Sequence, residues 1–169
     1  PLYCAAAVGS VGAARLLLDR GADVNARDCF SWTPLMEACS QGHVGMAALL
    51  LERGAEPSAR TRTGSTALVK ACNGDEHPGS DHVAVIRLLI EDGRVAVDAR
   101  DDEGCTALWC ACLYGYTERA RVLLLEGLAD HTVADWRGRT PLALAQRQQE
   151  EGCTRLLQVG ITFLIISRG

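Results

Sequence analysis

The sequence repeats itself with a period close to 33 residues. A two-residue motif, proline or alanine followed by leucine, recurs at spacings of 33, 33, 40 and 34 residues. The five copies are Pro1-Leu2, Pro34-Leu35, Ala67-Leu68, Ala107-Leu108 and Pro141-Leu142. A fixed period of this length is typical of a solenoid, in which each unit buries its apolar face only by stacking on its neighbours. The repeat therefore predicts one elongated stack of five units.

Other residue types return at fixed places in each unit. Four units have a threonine directly before the motif, and every unit has an alanine four residues after the first residue of the motif. In four units a glycine closes the leucine-rich triplet that follows. The threonines are Thr33, Thr66, Thr106 and Thr140; the alanines are Ala5, Ala38, Ala71, Ala111 and Ala145; the triplets begin at Leu16, Leu49, Leu88 and Val122; the glycines are Gly21, Gly54, Gly93 and Gly127. The shared register indicates that the five copies have one structure.

The second unit shows what that structure is. The hydroxyl of Thr33 is suited to cap a helix, and Pro34 lies where a missing N–H costs nothing. Gly42 ends this first helix, residues 44–53 form a second one, and Gly54 supplies a left-handed C-terminal cap. Each unit is therefore predicted to be a pair of helices, with short β-strands or none in the connecting hairpins.

This pattern resembles the ankyrin-repeat family, whose unit reads D-x-x-G-x-T-P-L-H-x-A-A-x-x-G-H and continues to L-L-x-x-G-A-D-V-N-A. The second unit carries Asp28, Thr33, Pro34, Leu35, Ala38, Gly42, His43, Leu50, Leu51, Gly54 and Ala55, and the first unit closes with GADVNAR at 21–27. The resemblance implies an all-α solenoid of helix-turn-helix units joined by β-hairpin-like loops. We place a single domain at 1–160, with units at about 1–27, 28–60, 61–100, 101–134 and 135–160, and an apolar tail at 161–169.

Two departures from the family pattern stand out. The histidine after the leucine is replaced by Met36, Val69, Trp109 or Ala143, so we expect the hydrogen bond that it makes in the family to be absent throughout. The third unit carries about six extra residues, GDEHPGS at 74–80, between its helices. We expect an exposed loop there, because glycine, aspartate, proline and serine favour turns, and we expect deletion of 75–80 to leave the fold intact.

Composition limits the function classes. The net charge of −4 comes without a basic run, which argues against a nucleic-acid partner. The apolar stretch from Ile161 to Ile166 is far shorter than the roughly 20 residues that span a bilayer. Eight cysteines fall inside helix-patterned segments, so reduced thiols are expected. Together these features predict an intracellular protein, cytoplasmic or nuclear.

The spacing of the cysteine and histidine residues does not predict a metal-binding or catalytic site. Cys39, Cys72 and Cys112 share one repeat position and are predicted to be small buried residues. Cys110 and Cys112 lie two apart on a helix and cannot chelate one ion together. His77 and His82 are the only histidines close enough to suggest a metal, and we interpret them as part of a solvated loop. No nucleophile–base pair or phosphate loop is found, so no catalytic residue, cofactor or metal is predicted.

The resemblance implies that the chain is a non-catalytic module that binds another protein, of unknown identity, through a concave face of hairpin tips and first-helix ends, as a monomeric domain. The alternative is a targeting or substrate-recruiting segment of a larger enzyme such as a kinase or ubiquitin-ligase subunit. Aromatic residues and arginine often anchor interfaces, which favours the aromatic positions on this face. The predicted partner-binding residues are Phe30, Trp32, Ser40, Gln41, Arg62, Asn73, Asp102, Glu103, Leu113, Tyr114, Trp136, Arg137 and Arg147.

One modification is also implied by the resemblance. Asn25, in LLDRGADVN, is a candidate substrate of an asparaginyl hydroxylase, because such enzymes act at this place in many ankyrin repeats. The alternative is that Asn25 only hydrogen-bonds the hairpin, which we favour because the other units have Ser58, Asp98 and Thr132 or Val133 there. Unit five, with QRQQEEG at 146–152, has the polar outer face expected of a C-terminal cap.

Overall fold

The computed structural model describes the backbone of residues 1–167 and the side chains of residues 1–159. This part of the chain contains ten α-helices and no β-strand. The helices are α1 (Leu2–Ala7), α2 (Val11–Asp19), α3 (Pro34–Ser40), α4 (Val44–Glu52), α5 (Ala67–Asn73), α6 (His82–Asp92), α7 (Ala107–Leu113), α8 (Thr117–Leu125), α9 (Pro141–Arg147) and α10 (Glu151–Ser167). The all-α fold with one helix pair per repeat is confirmed.

The pairs stack into two layers of helices. The first helices of the five units, α1, α3, α5, α7 and α9, contact each other in chain order, and the second helices, α2, α4, α6, α8 and α10, do the same. The middle leucines of three triplets, Leu50, Leu89 and Leu123, are buried, and so is Leu157 in α10. Leu17, the middle leucine of the first unit, is half-buried. The predicted small thiols Cys39, Cys72 and Cys112 are also fully buried. A core of this kind is a sum of interfaces between neighbours.

Threonine begins four of the first helices, as the sequence predicts. The hydroxyl oxygen of Thr33 accepts a hydrogen bond from the backbone N–H of Met36 at 3.3 Å. The same bond is made by Thr66, Thr106 and Thr140 to the third residue after each. An N-cap of this type stabilises a helix by about 1 kcal/mol.

The hairpins that join the units are closed by both backbone and side-chain hydrogen bonds, with no β-strand in the part of the chain that the structure describes. The Oδ1 atom of Asp28 accepts from the N–H groups of Phe30 and Trp32, both at 2.8 Å. Asp101 and Asp135 make equivalent pairs of bonds in their hairpins, and the hydroxyl of Thr61 does so in the third unit. The first residue of each hairpin therefore fixes the position of its tip.

Among the residues that the structure describes, three other than glycine lie in the left-handed region of the backbone. They are Ser31 (φ 60°), Leu128 (φ 53°) and Gln149 (φ 60°), and other units have glycine at each of these places. The prediction for Gly127 was wrong in this detail: it was to close the fourth unit, whereas the next residue, Leu128, has the left-handed conformation that Gly54 has in unit two. A leucine there is strained, because its Cβ crowds the following carbonyl.

The insertion in unit three lies between α5 and α6, as predicted, but it is not simply solvated. Asp75 and Glu76 are exposed, whereas Gly74 is buried and His77 is half-buried. His82 is buried in the first turn of α6, and the expectation of a solvated residue there was wrong. Its Nε2 atom lies 2.9 Å from the carbonyl oxygen of Ser40, so the ring packs on the preceding unit.

The insertion also removes a turn that the second unit uses to end its first helix. In unit two the N–H groups of Gly42 and His43 bond to the carbonyls of Cys39 and Ala38, at 3.2 and 2.9 Å. Backbone amides in this turn thus satisfy the last carbonyls of the helix, which otherwise have no partner.

In unit three a side chain takes over this role. Nη1 of the buried Arg119, in α8, lies 3.2 Å from the carbonyl oxygen of Ala71, 3.4 Å from that of Cys72 and 2.7 Å from that of Gly74. Its Nη2 atom pairs with the carboxylate of Glu76 in the insertion. A cation beside a helix C-terminus is also favoured by the helix dipole. Arg119 therefore closes α5 and fixes the insertion at the same time.

The expected absence of a hydrogen bond at the family's histidine position was wrong for unit four. The indole nitrogen of Trp109 donates to the carbonyl oxygen of Arg139, in the next hairpin, at 3.2 Å. In unit one the hydroxyl of Tyr3, at the same repeat position, donates to Glu37 at 2.6 Å. Two units thus replace the histidine with another donor that reaches the next repeat.

The two ends of the stack differ. At the first unit, Val8 and Leu16 are exposed. At the other end, Gln146 to Gln149 are exposed and α10 continues without a break to Ser167. The predicted apolar tail at 161–169 therefore begins inside this helix, and the packing of its side chains lies outside the described residues.

Candidate interaction surface

The hairpin tips form one continuous edge of the molecule. The N–H of Arg62 donates to the carbonyl of Phe30 at 3.0 Å, and each later tip bonds to the tip before it in the same way. These later bonds join Asp102 to Thr63, at 3.1 Å, and Trp136 to Glu103, at 3.0 Å. Six of the predicted partner-binding residues, Phe30, Arg62, Asp102, Glu103, Trp136 and Arg137, belong to this edge.

A cleft of about 420 Å³ lies where this edge meets the first helices of units three and four. Its lining residues are Thr63, Asn73, Asp101, Asp102, Glu103, Cys105, Trp109, Cys110, Leu113 and Tyr114. Five of the residues predicted from the sequence, Asn73, Asp102, Glu103, Leu113 and Tyr114, are brought together here. The helix ends and the hairpin tip thus form opposite sides of one concave site.

One wall of the cleft is acidic. Asp101 is occupied, since its carboxylate accepts the N–H groups of its own hairpin. The carboxylates of Asp102 and Glu103 are exposed, and neither forms an ion pair with any of the residues whose side chains the structure describes. These two groups are therefore open to a cationic ligand.

The opposite wall is aromatic and apolar. Tyr114 is 53% exposed, and Leu113 beside it is half-buried. Trp109 lies deeper and is fixed by its bond to Arg139. A tyrosine ring gives a large contact area at a low cost in conformational entropy, because it has only two side-chain torsion angles.

The two thiols in the cleft lining have raised pKa values. Burial raises the pKa of Cys105 to about 12, and the negative charges of Asp101, Asp135 and Glu103 contribute in the same direction. Burial likewise raises the pKa of Cys110 to about 12. Since the thiolate is the nucleophile, neither cysteine is suited to covalent chemistry near neutral pH.

The other predicted residues do not line the cleft. Phe30 and Trp136 are 62% and 63% exposed, and the indole N–H of Trp136 donates to the carbonyl of Asp102 at 2.9 Å. Trp32 is half-buried below the ammonium group of Lys70, which lies 4.3 Å from its ring centroid. Ser40, Gln41 and Arg147 lie at the ends of α3 and α9, outside the cleft.

Five of the lining residues were not among the predicted partner-binding residues: Thr63, Asp101, Cys105, Trp109 and Cys110. Trp109 was noted only as a departure from the family pattern. Trp109 lies in the first turn of α7, directly after the hairpin that contains Asp102. This place in the repeat was a signal that could have assigned it to the site. The two cysteines gave no such signal, because small apolar residues occupy buried positions throughout the chain.

Asn25 lies in the first hairpin and contacts the next unit. Its amide nitrogen donates to the carbonyl of Gly54 at 3.3 Å, and its amide oxygen accepts from the N–H of Glu56 at 2.9 Å. Asp98 accepts from the N–H of Asp130 in a corresponding way two units later. These bonds support the structural interpretation of Asn25.

Three histidines cluster beside the insertion. The ring of His77 lies 5.9 Å from that of His43 and 6.4 Å from that of His82, measured between centroids. In the part of the chain that the structure describes, no group of three or more histidine, cysteine, aspartate or glutamate residues is arranged to hold a metal ion. Within the same limits, no helix is long and apolar enough to cross a membrane.

Comparison with known proteins agrees with the repeat architecture. The family described as Ankyrin repeats (3 copies) matches three overlapping segments, residues 1–61, 55–135 and 80–165. The chain is 43% identical over 67 residues to the Ankyrin repeat and KH domain-containing protein mask-1 of Caenorhabditis elegans. That match covers 40% of this chain and 2% of the relative. Ankyrin repeats are in general protein–protein interaction modules, and the family is generally non-catalytic. The chain belongs to the ankyrin-repeat family.

Proposed function

We propose that this chain binds a segment of a partner protein along the edge of hairpin tips, with the cleft between units three and four as its main site. The observation that carries the proposal is the convergence of residues from two units on one cleft. Asp102, Glu103, Leu113 and Tyr114 come from the hairpin and first helix of unit four, and Asn73 comes from the end of the first helix of unit three. Interfaces depend on a few aromatic or arginine anchors placed in such a depression.

The surroundings of the cleft support this assignment. Its walls are fixed before a partner arrives, because the hairpin is bonded to both of its neighbours and Trp109 is bonded to the next unit. A preformed site loses less entropy on binding than a flexible one. The exposed Tyr114 and the exposed tip residues then supply contact area without rearrangement of the core.

Selection of binding peptides followed by mapping tests the proposal. Peptides selected on the purified chain should bind wild type and lose about tenfold or more in affinity with Tyr114→Ala, since a truncated aromatic anchor has an effect of this size. The matched control is Leu125→Ala, which removes a similarly exposed side chain from α8. Peptides that respond to Leu125→Ala and not to Tyr114→Ala would show that the site lies elsewhere.

A further inference from the structure

The chemistry of the cleft specifies one part of its ligand. We propose that it accepts a basic side chain, arginine or lysine, which lies next to an apolar residue in the partner segment. The proposal rests on the proposed function and adds the chemical class of the bound segment.

Charge is the first argument. The lining contains the exposed carboxylates of Asp102 and Glu103 and the partly buried carboxylate of Asp101, and none of its ten residues is basic. The nearby Lys70 is turned onto the ring of Trp32. A cation entering the cleft therefore meets two carboxylates that have no other charged partner among the described side chains. Hydrogen bonds between such ionised groups are roughly twice as strong as neutral ones.

The aromatic wall is the second argument. Guanidinium and ammonium groups are attracted to the face of an aromatic ring within about 6 Å of its centroid. Tyr114 provides such a face at the mouth of the cleft, and Leu113 beside it suits an apolar neighbour of the cation. An anion would find no donor of positive charge in this lining, so the arrangement selects for the sign of the charge.

The neighbouring hairpin tips limit how many basic residues of a partner segment can bind. Arg62 precedes the acidic tip and Arg137 follows it, and both side chains are exposed. A long run of basic residues would be repelled by these two arginines, whereas one cation opposite Asp102 and Glu103 would not. The edge therefore favours a single basic residue over a polybasic segment.

A variant that neutralises the two carboxylates and keeps the shape of both side chains provides the test. A phage-displayed library of linear peptides is selected on wild type and on Asp102→Asn/Glu103→Gln, and synthetic copies of the enriched peptides are titrated against both proteins. We expect wild type to enrich peptides with one arginine or lysine beside an apolar residue. The double variant should bind them about tenfold more weakly, with a smaller effect at high salt.

Glu52→Gln/Glu91→Gln is the matched control. It changes the net charge by the same amount at two exposed glutamates in α4 and α6, so it should leave the affinity unchanged. Peptides that require Tyr114 but carry no basic residue would overturn this inference and leave the proposed function standing. Peptides that ignore both Tyr114 and the two carboxylates would overturn both proposals. Equal weakening by the two double variants would show a long-range charge effect and also contradict the inference.

Discussion

At the scale of single residues, comparison of the units identifies positions with a strained backbone. In the described part of the chain, each of the three non-glycine residues with positive φ has glycine at the corresponding place in other units. An L-amino acid in this conformation costs roughly 1–2 kcal/mol. Because the fold is repeated, the glycines of neighbouring units show which residue the backbone prefers at each strained position.

Leu128 offers the sharpest test of this strain. Leu128→Gly should raise the free energy of unfolding by about 0.5–1 kcal/mol, the relief of strain less the extra entropy that glycine gives the unfolded chain. Urea denaturation followed by circular dichroism measures it. Leu128→Ala removes the exposed side chain but keeps a Cβ, so it should change little. Equal stabilisation by both variants would mean that the exposed side chain, and not the backbone, is responsible.

His82 makes stability depend on pH. Burial lowers its pKa in the folded state below the ordinary value of 6.5. Coulombic repulsion from Arg119 and His77 acts in the same direction, whereas the bond to Ser40 and the charge of Glu76 act against it. As pH falls through 6.5, the unfolded chain therefore binds a proton before the folded one does. The contribution of this histidine is complete above that pH and is lost as the pH falls towards the lower, folded pKa.

The expected result is a lower free energy of unfolding at about pH 5.5 than at about pH 7.5, measured by urea titration. His82→Gln, which can still bond to the carbonyl of Ser40, should flatten this dependence. A slope that persists in the variant would assign the effect to other groups. Stability that rises on acidification would contradict the sign of the argument.

At the scale of elements, the insertion and Arg119 depend on each other structurally. Without Arg119, the last carbonyls of α5 would have no hydrogen-bond donor, because the insertion replaces the usual turn amides. Without the insertion, the buried guanidinium would lose acceptors. Arg119 lies in α8 at the repeat position of Met46 and Val85, which are buried apolar residues in the second helices of units two and three. A charged residue at this position is explained by the extra loop of unit three.

A double-mutant cycle tests this dependence. Arg119→Met, which introduces the residue of unit two, should destabilise the protein by about 2–4 kcal/mol because several carbonyls lose their donor. Deletion of 75–80 alone leaves the guanidinium without Glu76, so the earlier expectation that this deletion is harmless is revised. The combined variant should recover most of the loss, a coupling of about 2 kcal/mol.

Arg121→Met is the control for this cycle. It removes an exposed arginine that pairs with Glu118 in the same helix and should cost less than about 1 kcal/mol. Additive losses from Arg119→Met and the deletion would show that the two features are independent. Unfolding curves of the four cycle variants and the control, measured under one set of conditions, decide between these outcomes.

Local signals explain what the sequence could predict. The starts of the first helices follow from threonine and the residues directly after it, and their period gives the stack. Arg119 could not be predicted in this way, since the carbonyls that it contacts lie 45 to 48 residues earlier in the chain. For the cleft, the repeat register placed Tyr114 and Asp102 on one face, but only the structure shows that Trp109 and Thr63 complete the walls between them.

At the scale of the whole molecule, stability is shared between neighbouring units. Each helix layer is continuous through contacts between consecutive repeats. The contribution of a side chain to the free energy of unfolding therefore depends on how much of its surface the neighbouring repeats bury. Leu16 and Leu49 both begin the leucine-rich triplet of their units. Leu49 is 3% exposed within the stack, whereas Leu16 is 63% exposed in the first unit.

Substituting these two leucines separates the effect of the position within the repeat from the effect of burial by neighbouring units. Leu49→Ala should lower the free energy of unfolding by about 2–4 kcal/mol, because it removes buried methyl groups and leaves a cavity. Leu16→Ala should lower it by less than about 0.5 kcal/mol, since its side chain is already in water. Urea denaturation of both variants gives the comparison. If the two substitutions cost the same, the leucine would act within its own helix pair, and the nearest-neighbour description of this stack would be wrong.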